Sequence, residues 1–130
     1  MLSLPSVREL LAGSQVSVKP VIDLAHMAPS AGYRPSGTLR EGIILANPRC
    51  IFPYCDRDSR KTAQLDHTRA YPQGQTEADN LGPPYDRHHR VKTHGRGWRL
   101  RQPFRGIFVW RSPTGRIYIV DHQETLALSA

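Results

Sequence analysis

Residues 50–94 read CIFPYCDRDSRKTAQLDHTRAYPQGQTEADNLGPPYDRHHRVKTH. This stretch concentrates the side chains that bind metals or move protons: Cys50, Cys55, Asp66, His67, Asn80, His88 and His89. An Asp that ligates a hard divalent cation, next to a His that does not, sets a base close to a metal. The His can take a proton from water while the metal polarises a phosphate and stabilises the leaving oxygen. An Asp-His dipeptide alone carries little information; its spacing to the later residues adds to it. Asn80 follows His67 by 13 residues and His89 follows Asn80 by nine. Asn80 can brace the loop between them by side-chain-to-backbone hydrogen bonds, or orient His67 through a backbone contact. A helix packed on a strand hairpin can aim His89 back at Asp66. Two protein ligands leave the remaining positions to water and phosphate oxygens, as Mg²⁺ requires.

Working outward, the spacing predicts a strand over Thr62–His67, a turn-rich loop over Thr68–Asp79 and a helix over Leu81–Lys92, started at Pro83-Pro84 and ended by Gly95 and Gly97. Upstream, Thr38-Leu-Arg-Glu41 reads as a capping box opening a helix through Ile43, Ile44 and Leu45, which Asn47-Pro48 ends. Met27–Gly37 reads as loop. Ser6-Val-Arg-Glu9 is another capping box, opening a helix over Val7–Ala12, and Val16–Leu24 reads as an edge strand because Pro20 interrupts it. Downstream, Trp98–Gln102, Gly106–Arg111 and Arg116–Val120 read as three antiparallel strands, the last two joined by Ser112-Pro-Thr-Gly115. Ile107, Val109, Ile117 and Ile119 should share one face. The expectation is an α+β chain in three parts: an N-terminal extension over 1–49, a domain over 50–121 and a flexible tail over 122–130.

Composition narrows the function. Net charge is +7 with a pI near 10.0, which points to a polyanionic partner, nucleic acid or an anionic surface. The surplus is concentrated: Arg87–Arg116 holds nine Arg or Lys and no Asp or Glu, with Trp98, Phe104 and Trp110 interleaved. Such a run is also compatible with an ordinary solvated face. Arg90, Lys92, Arg96 and Arg99 are the candidate phosphate contacts, since cations there attract the backbone without reading sequence. No apolar run approaches the ~18 residues of a membrane span, so no membrane partner is expected. The first residues lack an export signal, which favours a cytoplasmic location. Outside an oxidising compartment, the close pair Cys50 and Cys55 reads as metal-binding more readily than as a disulfide.

The segments Cys50-Ile-Phe-Pro-Tyr-Cys55, Leu65-Asp66-His67, Gly74-Gln-Thr76, Asn80-Leu81 and His88-His89-Arg-Val-Lys92-Thr93-His94 together resemble the HNH (His-Me finger) endonuclease motif. More narrowly, they resemble the HNH domain at the C-terminus of a large actinobacterial repeat family. Pro20-Val-Ile-Asp-Leu24, the Trp98 strand and the Gly106–Arg116 hairpin are similar to that family's flanking strands, so the resemblance covers roughly residues 16–121. It implies a ββα-metal core with a C-terminal antiparallel meander, and hydrolysis of DNA phosphodiesters. It also implies His67 as general base, Asn80 as an orienting residue, and Asp66 and His89 as ligands of a catalytic Mg²⁺ or similar ion. Proteins of that family have a long helical region upstream, so this chain is expected to be a truncated or split copy.

One position departs from the pattern. Relatives carry a Cys five residues after the Asn, where this chain has Tyr85. With Cys50, Cys55 and His88 that Cys would serve a structural Zn²⁺, which takes four ligands. Here the fourth is open, with Asp86 a candidate by proximity alone. Either the zinc is retained, or both thiols are merely buried or free. Two functions follow: an active endonuclease, or a catalytically impaired remnant that binds nucleic acid.

Overall fold

The computed structural model describes residues 23–62, 64–94 and 97–128. The helix expected over Val7–Ala12, nearly all of the strand over Val16–Leu24, and the candidate phosphate contact Arg96 lie outside the described residues. The fold is mixed α+β, with helices α1 (Gly37–Ala46) and α2 (Asp86–His94) and strands β1 (Asp66–His67), β2 (Leu81–Gly82), β3 (Arg99–Phe104), β4 (Ile107–Arg111), β5 (Ile117–Val120) and β6 (Thr125–Leu128).

Helix α1 begins one residue before the expected capping box. Ser36 is the cap, its hydroxyl accepting from the Leu39 N–H at 3.1 Å, so Thr38 already lies inside the helix. Asn47 closes the other end: its backbone N–H and its side-chain amide both donate to Ile43 O, each at 2.9 Å. Leu39, Ile43 and Ile44 form the buried stripe of α1 and pack with Met27, Leu65, Ala78 and Leu81. That cluster sits beneath the β1–β2 ribbon, an antiparallel pair in the register Asp66↔Gly82 and His67↔Leu81.

Two boundaries differ from expectation here. The strand expected over Thr62–His67 is confined to Asp66–His67; upstream of it, Ser59–Lys61 coils into a 3-10 turn capped by Asp58 and closed at Thr62. The helix expected from Leu81 starts at Asp86, and Leu81–Gly82 is strand β2. Pro83 and Pro84 cannot donate to either a ladder or a helix, so they separate the two elements. Buried Pro84 is held by its carbonyl, which accepts from Thr62 Oγ1 at 2.6 Å.

The second sheet is a four-stranded antiparallel meander in the order β3-β4-β5-β6. The expectation of three strands and a flexible tail over 122–130 misses β6. Asp121 makes the missing turn: its carboxylate accepts from the N–H groups of Gln123 and Glu124 at 2.7 and 2.9 Å, bringing Thr125–Leu128 back beside β5. The register of β3 shifts between Arg101 and Phe104, where Pro103 has no N–H to offer. Phe108, Trp110 and Val120 face inward with Ile51 as the second core, flanked by Phe52, Trp98, Leu100 and Tyr118. Val109 pairs with Ile119 on the opposite face, so the apolar set read from the sequence shares a side, but not the buried one. The two cores meet at Gly82. A Cβ there would lie 2.6 Å from Phe108 Cε1 and 2.9 Å from Ile51 Cδ1.

Candidate functional site

Strand β1 delivers Asp66 and His67 to opposite faces of the ribbon. His67 is buried and Asp66 half-buried. Helix α2 crosses the Asp66 side and contributes two groups. His89 Nε2 stands 3.5 Å from Asp66 Oδ1, and Lys92 Nζ stands 2.7 Å from Asp66 Oδ2. The lysine contact is one of charge rather than of an aligned hydrogen bond, since no donor is directed at the buried Oδ2. Lys92 Nζ also donates to His67 O. Lys92, read from the sequence as a phosphate contact, therefore turns inward onto Asp66 and His67: the i→i+3 step from His89 brings it onto the same face of α2. Arg90 and Arg99 are exposed.

Burial pushes the His67 imidazole below its ordinary value. The Asp66 carboxylate opposes that shift and the Lys92 ammonium adds to it. His67 is thus a neutral ring at neutral pH, the form a base requires. Its Nε2 lies 2.8 Å from Thr76 Oγ1, and the Tyr33 ring stacks on it at 5.0 Å with an interplanar angle of 24°. Neither neighbour can be deduced from the Asp66, His67, Asn80 and His89 spacing. Thr76 stands in the decisive stretch, but only the fold shows that it reaches His67.

Asn80 ends the long loop and its side chain ties the loop to itself. Its Oδ1 accepts from Arg69 N at 2.8 Å, and its Nδ2 donates to Arg69 O and Gln75 O, both at 2.9 Å. Thr68 N donates to Asn80 O at 2.9 Å, closing the loop at the strand end that carries His67. Gly74 is required inside this turn: a Cβ there would be 2.2 Å from Arg69 O and 2.5 Å from Asn80 Nδ2. Gln102 pins the loop to the meander, accepting from Thr68 Oγ1 at 2.9 Å and donating to Ala78 O at 3.1 Å.

A second constellation lies at the start of α2. The donor atoms of Cys50, Cys55 and His88 all fall within 4.8 Å of one another, a set that could hold a metal ion such as zinc. Cys50 Sγ lies 3.3 Å from His88 Nδ1 and accepts from the N–H groups of Tyr85 at 3.1 Å and Phe52 at 3.5 Å. Backbone donors aimed at a sulfur suit a thiolate, yet burial pushes the Cys50 thiol up to about 12, so the anion needs a cation beside it. Burial, then the Arg87 and Arg57 charges, hold His88 below its usual range, leaving a neutral nitrogen that can ligate. Asp86 does not join the set. The Tyr85 ring instead receives the Arg57 guanidinium at 4.4 Å from its centroid. Phe52 stacks on His88 at 4.2 Å, and Trp110 Nε1 donates to Ile51 O at 2.8 Å, which fastens the cysteine turn to the meander.

No protein-family model and no solved structure matches this chain. It is similar to two uncharacterised proteins of Mycobacterium tuberculosis. Against Rv3776 it is 38% identical over 86 residues, which is 66% of this chain and 16% of that protein. Against Rv2100 it is 32% identical over 114 residues, which is 88% of this chain and 20% of that protein. The chain thus spans about a fifth or less of the length of these relatives.

Proposed function

We propose that this chain is an HNH-type endonuclease domain that hydrolyses DNA phosphodiester bonds with a divalent metal. The observation that carries the reading is the convergence of Asp66 Oδ1 and His89 Nε2, 3.5 Å apart, beside a neutral, buried His67 on a two-stranded ribbon followed by a helix. That order, strand, strand, helix, supports the ββα-metal reading that the motif implies. Asp66 and His89 offer a hard cation one carboxylate and one imidazole, a partial ligand set that water and phosphate oxygens would complete. A bound divalent ion would polarise the phosphate and stabilise the departing oxygen. His67 takes a proton from water, the water oxygen bonds to phosphorus, and the phosphorus–oxygen bond to the leaving strand breaks with its electron pair on oxygen. Asn80 holds the loop that places His67. Arg90 and Arg99 attract the strand's phosphates without reading bases. The net charge of +7 suits the same partner.

One observation favours a second reading. The Lys92 ammonium sits against Asp66 Oδ2, where a cation would otherwise bind. A site closed by its own lysine would bind nucleic acid without cutting it. A plasmid-nicking assay with Mg²⁺, Mn²⁺ or Zn²⁺, run beside His67→Ala, separates the two. Cation-dependent nicking lost in His67→Ala is expected. Binding at low salt without nicking under any of the three ions overturns the enzyme reading.

A further inference from the structure

We infer that Thr76 is a positioning residue that holds His67 in the Nε2–H tautomer and leaves Nδ1 as the basic nitrogen; its bearing on catalysis rests on the nuclease reading above. The argument is a count of hydrogens. A threonine hydroxyl has one hydrogen and two lone pairs, and a backbone carbonyl has no hydrogen. Thr76 Oγ1 lies 2.6 Å from Gly32 O and 3.3 Å from Tyr33 O, so its hydrogen is directed to those carbonyls. Toward His67 Nε2, at 2.8 Å, the hydroxyl can then only accept. Nε2 must therefore carry the proton of the neutral ring, and the ring's lone pair sits on Nδ1. Among the described residues no partner engages Nδ1.

The relay is built to resist exchange. Thr76 is 1% exposed, so water does not readily replace its hydroxyl. Ser30 N donates to Thr76 O at 2.8 Å, and residues 30 and 76 form an antiparallel bridge. The same segment supplies both acceptor carbonyls and the Tyr33 ring stacked on His67. Residues 30–33, which lie ahead of the motif, thereby set the chemistry of a base that lies within it. Removing the hydroxyl strands the buried Nε2–H without its acceptor, which removes the preference for that tautomer.

The test uses the full chain labelled with ¹⁵N, free of metal, at a pH above the usual imidazole range. Two-bond proton–nitrogen spectra identify the protonated ring nitrogen, and His67→Gln assigns the signal. Wild type and Thr76→Ser should both show His67 as Nε2–H. Thr76→Val should shift the balance toward Nδ1–H by roughly ten- to a hundredfold. Mn²⁺-dependent nicking should fall by a similar factor in Thr76→Val and be kept in Thr76→Ser. An Nδ1–H signal in the wild type overturns the inference whether or not DNA is cut. So does a Thr76→Val protein whose tautomer and nicking are both unchanged. If Thr76→Val fails to fold, the wild-type and Thr76→Ser spectra still decide. Spectra as expected with no nicking by any form leave the relay standing and reject the nuclease reading instead.

Discussion

Replacing Asn80 tests whether the loop is held as the geometry requires. Its side chain makes three hydrogen bonds to backbone groups of Arg69 and Gln75, at 2.8, 2.9 and 2.9 Å. Each such bond contributes about 1 kcal/mol net. The three bonds together put the cost of Asn80→Ala at about 2–3 kcal/mol. A small domain has only about 5–15 kcal/mol in total, so the urea midpoint should drop visibly. Asn80→Asp is the sharper probe, because it keeps the shape and the Oδ1 acceptor but turns a carboxylate oxygen toward two carbonyls. Only a protonated Asp could donate there, so its folded pKa must rise above the unfolded value of about 3.9. Stability from that proton is fully present below about pH 4 and is lost as pH rises through the folded pKa. Measured against Asn80→Ala at each pH, Asn80→Asp should be the more stable of the two near pH 4 and the less stable near pH 7. If Asn80→Ala unfolds within about 0.5 kcal/mol of wild type, or the two variants never change order, the loop is not held by this side chain.

Three further outcomes are expected. The protein as purified should carry about one zinc, lost in Cys50→Ser, and zinc affinity should weaken as pH falls because a thiol pushed up to about 12 must release its proton on binding; a folded protein that neither carries nor takes up zinc removes this site. His67 and His88 both have lowered values in the fold, so below about pH 6.5 the unfolded chain takes up protons before the folded one. Stability in chelator should therefore be full above that value and fall toward pH 5, and a urea midpoint that is flat or rises on acidification contradicts the burial of these rings. Gly82→Ala should cost about 1–3 kcal/mol, since its Cβ would meet Phe108 Cε1 at 2.6 Å between two cores; an unchanged melting temperature would show that the cores do not meet there.

Much of the framework is legible in local sequence, for reasons that can be named. Asn47-Pro48 stops α1, and Ile107–Arg111 and Ile117–Val120 form adjacent strands across a Pro-Thr-Gly turn. Caps, turns and alternation act over a few residues, so they survive without knowledge of the rest of the chain. The errors fall where two local signals compete: a capping box at Thr38 against a serine at Ser36, and a helix start at Leu81 against a proline pair that ends a strand.

By itself the sequence determined which chemistry is available: a carboxylate beside an imidazole, two thiols, and a basic stretch with no acidic residue. The tertiary structure decided what each group does with its neighbours. It turned Lys92 into Asp66, brought the Cys50, Cys55 and His88 donors together without Asp86, and set Thr76 between His67 and the carbonyls at residues 32 and 33. Apart from the close pair Cys50 and Cys55, these pairings join residues 9 to 44 positions apart in the chain, and their energies depend on distances of a few ångströms in a desolvated space. Spacing along a chain specifies neither those distances nor that space; packing the two cores around Gly82 specifies both.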